Sequence, residues 1–132
     1  MTKATTISLL EQFSKLSFLG DRHPKSTETE LNKSFSLLSQ YRDGAIFITH
    51  YAGNSQWERH SKGDEIVFVL DGKTNLILRT PEGEKPNLLQ SGELIVVPQN
   101  VWHRFETPEG AKILSVTPQP TDHTEDFPNY TD

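Results

Sequence analysis

From residue 35 onward, short β-favouring runs alternate with turn-forming groups, and this punctuation limits the fold more than any other feature of the chain. The turns read as Asp43–Gly44, Gly53–Asn54, Asp71–Gly72, Pro81–Gly83, Ser91–Gly92 and Pro108–Gly110. Strand-sized segments bounded at such intervals predict an all-β sandwich or barrel. Asp71–Gly72, set between EIVFVL and TNLILR, is the strongest hairpin signal, because Asp-Gly suits the positive φ of a two-residue turn. The apolar share is only 33%, so the core must come from a few segments: 45–51, 65–70, 76–78, 94–97 and 113–116.

The flanks read differently. Residues 6–19 predict one amphipathic helix, with Ser8 and Glu11 as a capping box and Ile7, Leu10, Phe13, Leu16 and Phe18 as a rough apolar stripe ended by Gly20. Residues 20–34 are polar and predict a crossing loop; the stretch after Pro118 is polar again and predicts a tail. One domain of 132 residues follows, with a helix and loop over 1–34, a β-barrel over 35–118 and a tail over 119–132.

The net charge is −5 and no run of Lys and Arg stands out, which argues against nucleic acid and against an anionic membrane surface as partners. The absence of Cys excludes disulfides and thiolate metal sites. No long apolar stretch opens the chain, so neither a signal peptide nor a spanning helix is expected, and a cytoplasmic protein is the default.

Two segments carry the chemistry. In GNSQWERHSKGDEIVFVLDG (53–72), His60 and Glu65 flank a tight Ser-Lys-Gly-Asp turn, so one ends a strand and the other begins the next. Glu58 shares a strand face with His60, and Glu65 shares one with Val67 and Val69. A carboxylate on an apolar inner face is costly unless it is paired or binds a cation. In GELIVVPQNVWHRF (92–105), Pro98 ends a strand, Gln99–Asn100 turn, and His103 opens another strand with Phe105 on its face.

These residues resemble the two motifs of the cupin superfamily, G-x5-H-x-H-x3-4-E-x6-G and G-x5-P-x-G-x2-H-x3-N. His60, Glu65 and Gly72 match the first, with four residues between His60 and Glu65 and six between Glu65 and Gly72, and Gly53 supplies its opening glycine with four residues before Glu58 where the motif has five; Gly92, Pro98 and His103 match the second at its spacings. The departures are Glu58, where the family usually has its first histidine ligand, Asn100 in place of Gly, and Thr107 in place of the last Asn. The resemblance implies a double-stranded β-helix, or jelly-roll barrel, preceded here by the N-terminal α-helix. It implies a divalent ion (Fe, Mn, Zn or Ni) held by His60, Glu65 and His103, with Glu58 as a fourth ligand or a general base.

It also implies small-molecule chemistry inside the barrel, of dioxygenase, isomerase, decarboxylase or lyase type, and a homodimer. Two other readings stand beside the enzyme: a non-catalytic ligand binder with the histidines bonded to each other or to Glu65, and a structural barrel. Phe47, Val67 and Phe105 are the expected inner wall, and His50 is a further candidate to face the ligand. Trp57 and Trp102, each next to a ligand position, are expected to point outward, and Arg42, Arg59 and Arg104 to be solvated.

Overall fold

In the computed structural model, which describes residues 4–130, two strands of sixteen residues set the architecture. In chain order the elements are α1 (Leu9–Ser14), β1 (Leu19–Arg22), α2 (Glu28–Asn32), β2 (Phe35–Tyr41), β3 (Gly44–Asn54), β4 (Trp57–His60), β5 (Glu65–Thr80), β6 (Gly83–Gln90), β7 (Leu94–Val97), β8 (His103–Pro118) and β9 (Thr121–Thr124). The fold is an all-β jelly roll. β8 lies antiparallel between β3 and β5. β6 and β7 extend the β5 side, while β4 pairs with the start of β8 and with β9.

The long strands bend so that one pair serves both parts of the roll. Their register shifts between Val69 and Asp71 and between Gly72 and Asn75, opposite the 106–112 stretch of β8. Gly72 sits at this corner with φ +80°, and a Cβ on it would lie 2.3 Å from the Gly110 carbonyl oxygen. The hairpin predicted at Asp71–Gly72 is therefore absent. The positive φ that marks a two-residue turn equally serves a corner where two strands cross closely. The hairpins fall instead at Arg42–Asp43, closing Tyr41 on Gly44, and at Pro81–Glu82, closing Thr80 on Gly83.

The flanks also depart from expectation. α1 covers only Leu9–Ser14; Ser8 caps it by accepting from the Glu11 amide at 3.2 Å, and the Glu11 side chain turns to Lys15 rather than completing a box. The chain leaves the helix early because the Ser17 amide donates to the Lys33 carbonyl and Leu19 is drawn into β1, parallel to β3 opposite Tyr51. The full capping box belongs to α2, where Thr27 and Glu30 satisfy each other's amides within the stretch expected as a loop. The C-terminal stretch contributes β9, and Phe127 packs edge-on against Trp57. No helix among the described residues is long and apolar enough to cross a membrane.

The core follows strand alternation. Val67 and Val69 of β5, Phe105, Ala111 and Ile113 of β8, and Tyr51, Leu76, Leu89 and Val97 form one buried cluster. The same inward rows continue polar at one end: Glu65 extends the Val67–Val69 row, and His103 extends the Phe105 row.

Candidate metal centre

The two motif turns are tied to one another, and this brings the side chains together. The Gln99 amide donates to Asp64 at 2.8 Å, the Gln99 side chain donates to the Ser61 carbonyl at 2.7 Å, and the Asn100 amide donates to the His60 carbonyl at 3.0 Å. Asn100 takes φ +67°, a left-handed conformation that asparagine tolerates better than most side chains. With the turns fixed, β8 runs between β4 and β5 so that His103 stands opposite Glu58 on one side and Leu78 on the other.

Glu58, His60, Glu65 and His103 converge: one potential ligand atom from each lies within 4.8 Å of all the others. His103 Nε2 is 3.0 Å from Glu65 Oε1 and 3.4 Å from Glu58 Oε1, and His60 Nε2 is 3.3 Å from Glu65 Oε2. His60, Glu65 and His103 are buried, while Glu58 is partly exposed at the mouth.

A ring of further groups orients these four. His103 Nδ1 bonds the Val101 carbonyl at 2.9 Å, which requires Nδ1–H and leaves Nε2 facing the cluster. His60 Nδ1 lies 3.0 Å from the Thr121 hydroxyl, which in turn donates to Gln119 Oε1 at 3.3 Å, so Thr121 serves as the acceptor for His60. Thr117 donates to Glu65 Oε2 at 2.6 Å. Imidazoles pinned through one nitrogen, with the other directed inward, are the usual second layer of a metal site.

Electrostatics couple the buried pair. Burial pushes the Glu65 carboxyl up, but the hydrogen bond from His103 and the proximity of both imidazoles, His103 and His60, overcome it and hold it at about 2. Burial pushes His103 down, and the carboxylates of Glu58 and Glu65 raise it to about 10. Without a cation the site is thus an internal ion pair, His103 protonated against Glu65 ionised.

The residues fit a divalent cation on two counts. The donor set is two imidazoles and two carboxylates, which balance a dication in charge and suit borderline metals. The buried His60 Nε2 has no hydrogen-bond partner, although Glu65 lies near it, and an orphaned inward nitrogen is what a coordinating histidine presents.

The cluster opens on a cavity of about 220 Å³ whose walls include Phe35, Phe47, Phe105 and Ile113. Phe47 and Phe105 both line this cavity. Val67 does not reach this space; fully buried, it packs within the core further along β5. His50 also does not. Alternation along β3 turns Phe47 and Thr49 inward and His50 outward, where its ring lies 4.7 Å from Phe18. Trp57 points away from the cavity and is covered by Phe127 and the Arg104 guanidinium. Arg59 pairs with Asp122, and Arg104 with Glu84 and Glu106.

Sequence reasoning missed Arg22, Thr117, Gln119, Thr121 and His123, all of which border the cavity. Four of them lie at or beyond the end of β8, where composition reads only as polar and no motif flags a return to the site.

A jelly roll with a His/Glu cluster at the inner end of its long strands defines a class of small barrel proteins. The model for the cupin domain matches residues 46–117, and the chain belongs to that family. Acireductone dioxygenases of Bacillus velezensis and Bacillus subtilis are 30% and 31% identical over 64 residues, covering 48% of this chain and 36% of theirs. The chain thus spans about a third of the length of these curated relatives.

Among solved structures, a cupin-2 domain protein from Shewanella frigidimarina is similar with a TM-score of 0.63 at 22% identity, covering 86% of this chain and 94% of that one. The hydroquinone 1,2-dioxygenase PnpCD, in complex with Cd2+ and 4-hydroxybenzonitrile, is similar with a TM-score of 0.54 at 21% identity, covering 64% and 63%.

Proposed function

We propose that this cupin is a metal-dependent enzyme of dioxygenase type that acts on a small organic molecule in the cavity above His60, Glu65 and His103. The observation that carries the reading is the convergence of four N and O donors within 4.8 Å of one another, one of them the orphaned Nε2 of His60. The dioxygenase names of the partial relatives support that reaction class over isomerase, decarboxylase or lyase chemistry.

His60, Glu65 and His103 hold the ion, an Fe, Mn, Zn or Ni dication, and Glu58 is the fourth ligand or the base. A bound divalent ion supplies Lewis acidity, and redox chemistry where the metal is not zinc. The protein's own residues do the rest. Phe47 and Phe105 wall the cavity and exclude water around the reacting molecule. Glu58, at the mouth and not fully buried, takes a proton from a substrate hydroxyl or enol in this reading, which its position beside the cavity supports.

Metal analysis of protein purified without a metal-affinity tag, followed by titration with Fe, Mn, Zn and Ni, tests the reading. About one divalent ion per chain is expected, lost in His103→Ala, with oxygen uptake on a screen of small enols and phenols. A site that rejects all four ions defeats it.

A second reading rests on Glu65, whose two oxygens are already engaged by His103 and Thr117. The cluster can close on itself, as in a metal-free ligand-binding barrel. A metabolite retained through purification and left unchanged after aerobic incubation with metal favours that reading.

The reading includes a homodimer. Ile66, Leu88, Leu94 and Val96 leave apolar surface on β5, β6 and β7, and light scattering on a sizing column measures the mass directly.

A further inference from the structure

We propose that Arg22 makes this site selective for small organic acids: the carboxylate of the substrate lies against the Arg22 guanidinium and the Thr49 hydroxyl, its apolar body against Phe47 and Phe105, and its reacting end over the His/Glu cluster. The inference deepens the proposed function and rests on its placement of the substrate in this cavity.

Arg22 differs from the other arginines near the site. Arg59 and Arg104 are paired with Asp122, Glu84 and Glu106, whereas no carboxylate of the described residues pairs with Arg22. Its guanidinium carbon lies 4.5 Å from the centre of the Tyr51 ring and 5.0 Å from that of Phe35. Stacking of this kind holds the planar group by its faces, and its five N–H donors outnumber what the neighbouring Tyr51 hydroxyl can accept, which leaves donors for a ligand. Arg22 lines the same cavity as Glu58, His60 and Glu65.

The seat is built into the backbone. β1 runs parallel to β3 with Arg22 opposite Gly53. Gly53 has φ +118°, and a Cβ there would fall 2.0 Å from the Arg22 carbonyl oxygen. Only glycine lets β1 come this close.

A second observation points to a ligand. Thr49, 8% exposed and on the inward face of β3, lines the cavity, and its hydroxyl has no hydrogen-bond partner. A buried hydroxyl without a partner is unfavourable unless a ligand completes it. Charge agrees. Two imidazoles and two carboxylates balance a bound dication, which leaves Arg22 as the uncompensated cation on the cavity wall. A partly enclosed cavity with one unbalanced positive charge favours an anion over its neutral counterpart.

Benzoate and 4-hydroxybenzoate, each beside its own amide, are suitable probes: acid and amide match in size and differ in charge. Calorimetric titration of the wild type, Arg22→Gln and Arg22→Lys, both metal-free and reloaded with Zn, reads the acid-to-amide preference. We expect the wild type to prefer at least one acid by about tenfold or more, as a charge-assisted contact does. Arg22→Gln should abolish that preference while its metal content and its affinity for the amide stay within about threefold of wild type, and Arg22→Lys should keep part of it.

The ratio within one variant is insensitive to the fraction of folded protein. If no acid in the series outbinds its amide, or if the ratio survives in Arg22→Gln, the assignment is overturned. A wild type that takes no metal yet prefers acids removes the proposed catalysis and leaves the Arg22 assignment standing.

Discussion

The floor of the cavity and its rim are built on different terms. On the floor, His60, Glu65 and His103 are buried, come from motif positions and are each held by a second group: Thr121, Thr117 and the Val101 carbonyl. On the rim, Arg22, Glu58 and His123 are partly open to solvent, come from two short strands and β4, and rest on stacking or on longer ion contacts, His123 to Glu58 at 3.8 Å and His103 to Glu58 at 3.4 Å. A rigid, dry floor suits a fixed coordination set, while a wetter rim suits exchange of substrate. The difference is testable because the same class of substitution should have unequal effects in the two regions.

The largest effect is expected at His103. In the metal-free protein it is the cation of a buried pair, and truncation strands Glu65. His103→Ala should lower stability by about 3–5 kcal/mol, read by urea denaturation, as removal of one partner of a buried pair does. It should also abolish metal binding. A loss under about 1 kcal/mol would show that the floor is no more rigid than the rim.

Next come the groups behind the floor side chains. Thr121→Val removes the partner of His60 Nδ1, and divalent-metal affinity should fall about 10–100-fold, the usual cost of losing such a support.

The pH dependence sharpens the contrast further, because only the floor holds the strongly shifted pair. His103 rises from an ordinary 6.5 to about 10, so its contribution to metal-free stability is complete below pH 6.5 and is lost as pH climbs through 10. Glu65 falls from 4.5 to about 2, so its contribution is present above pH 4.5 and is lost as pH drops through 2. Metal-free stability should therefore peak between these limits. Metal affinity should move the other way across the neutral range. An incoming ion displaces the His103 proton, so affinity should rise by about tenfold per pH unit below 10, with one proton released to buffer in calorimetry.

The floor was the legible part of the site. His60, Glu65 and His103 sit at fixed spacings from Gly72, Gly92 and Pro98, and the turns that enforce those spacings are local. The all-β class was equally legible from the turns. What escaped depends on long-range pairing. Arg22 enters through a parallel strand of four residues inside what reads as a loop, admitted by the absence of a Cβ at Gly53, 31 positions later. Thr121 and His123 lie in β9, whose sequence TDHT has no apolar alternation, because the strand borders a cavity rather than the core. The corner at Gly72 misled for a related reason: the local signal reports a positive φ, and only the partner strand decides whether the chain turns back there or bends and continues.

The smallest effect belongs to His123. It is 55% exposed, faces Glu58 across 3.8 Å and has no buried partner, so solvent screens the pair. His123→Ala should change stability by less than about 0.5 kcal/mol, the range of surface substitutions. Metal affinity should shift by no more than about threefold, since an exposed pair of this kind is worth under about 1 kcal/mol. The measurement is a direct comparison with Thr121→Val, two residues away on the same strand and likewise bordering the cavity. Thr121 touches a floor histidine and His123 touches a rim carboxylate, so strand position, backbone pairing and local fold are held nearly constant. If His123→Ala weakens metal binding as strongly as Thr121→Val, Glu58 belongs with the floor as an obligatory ligand and His123 is its support. If the two differ by tenfold or more, the ion is held by His60, Glu65 and His103, and Glu58 is left free for proton transfer at the mouth.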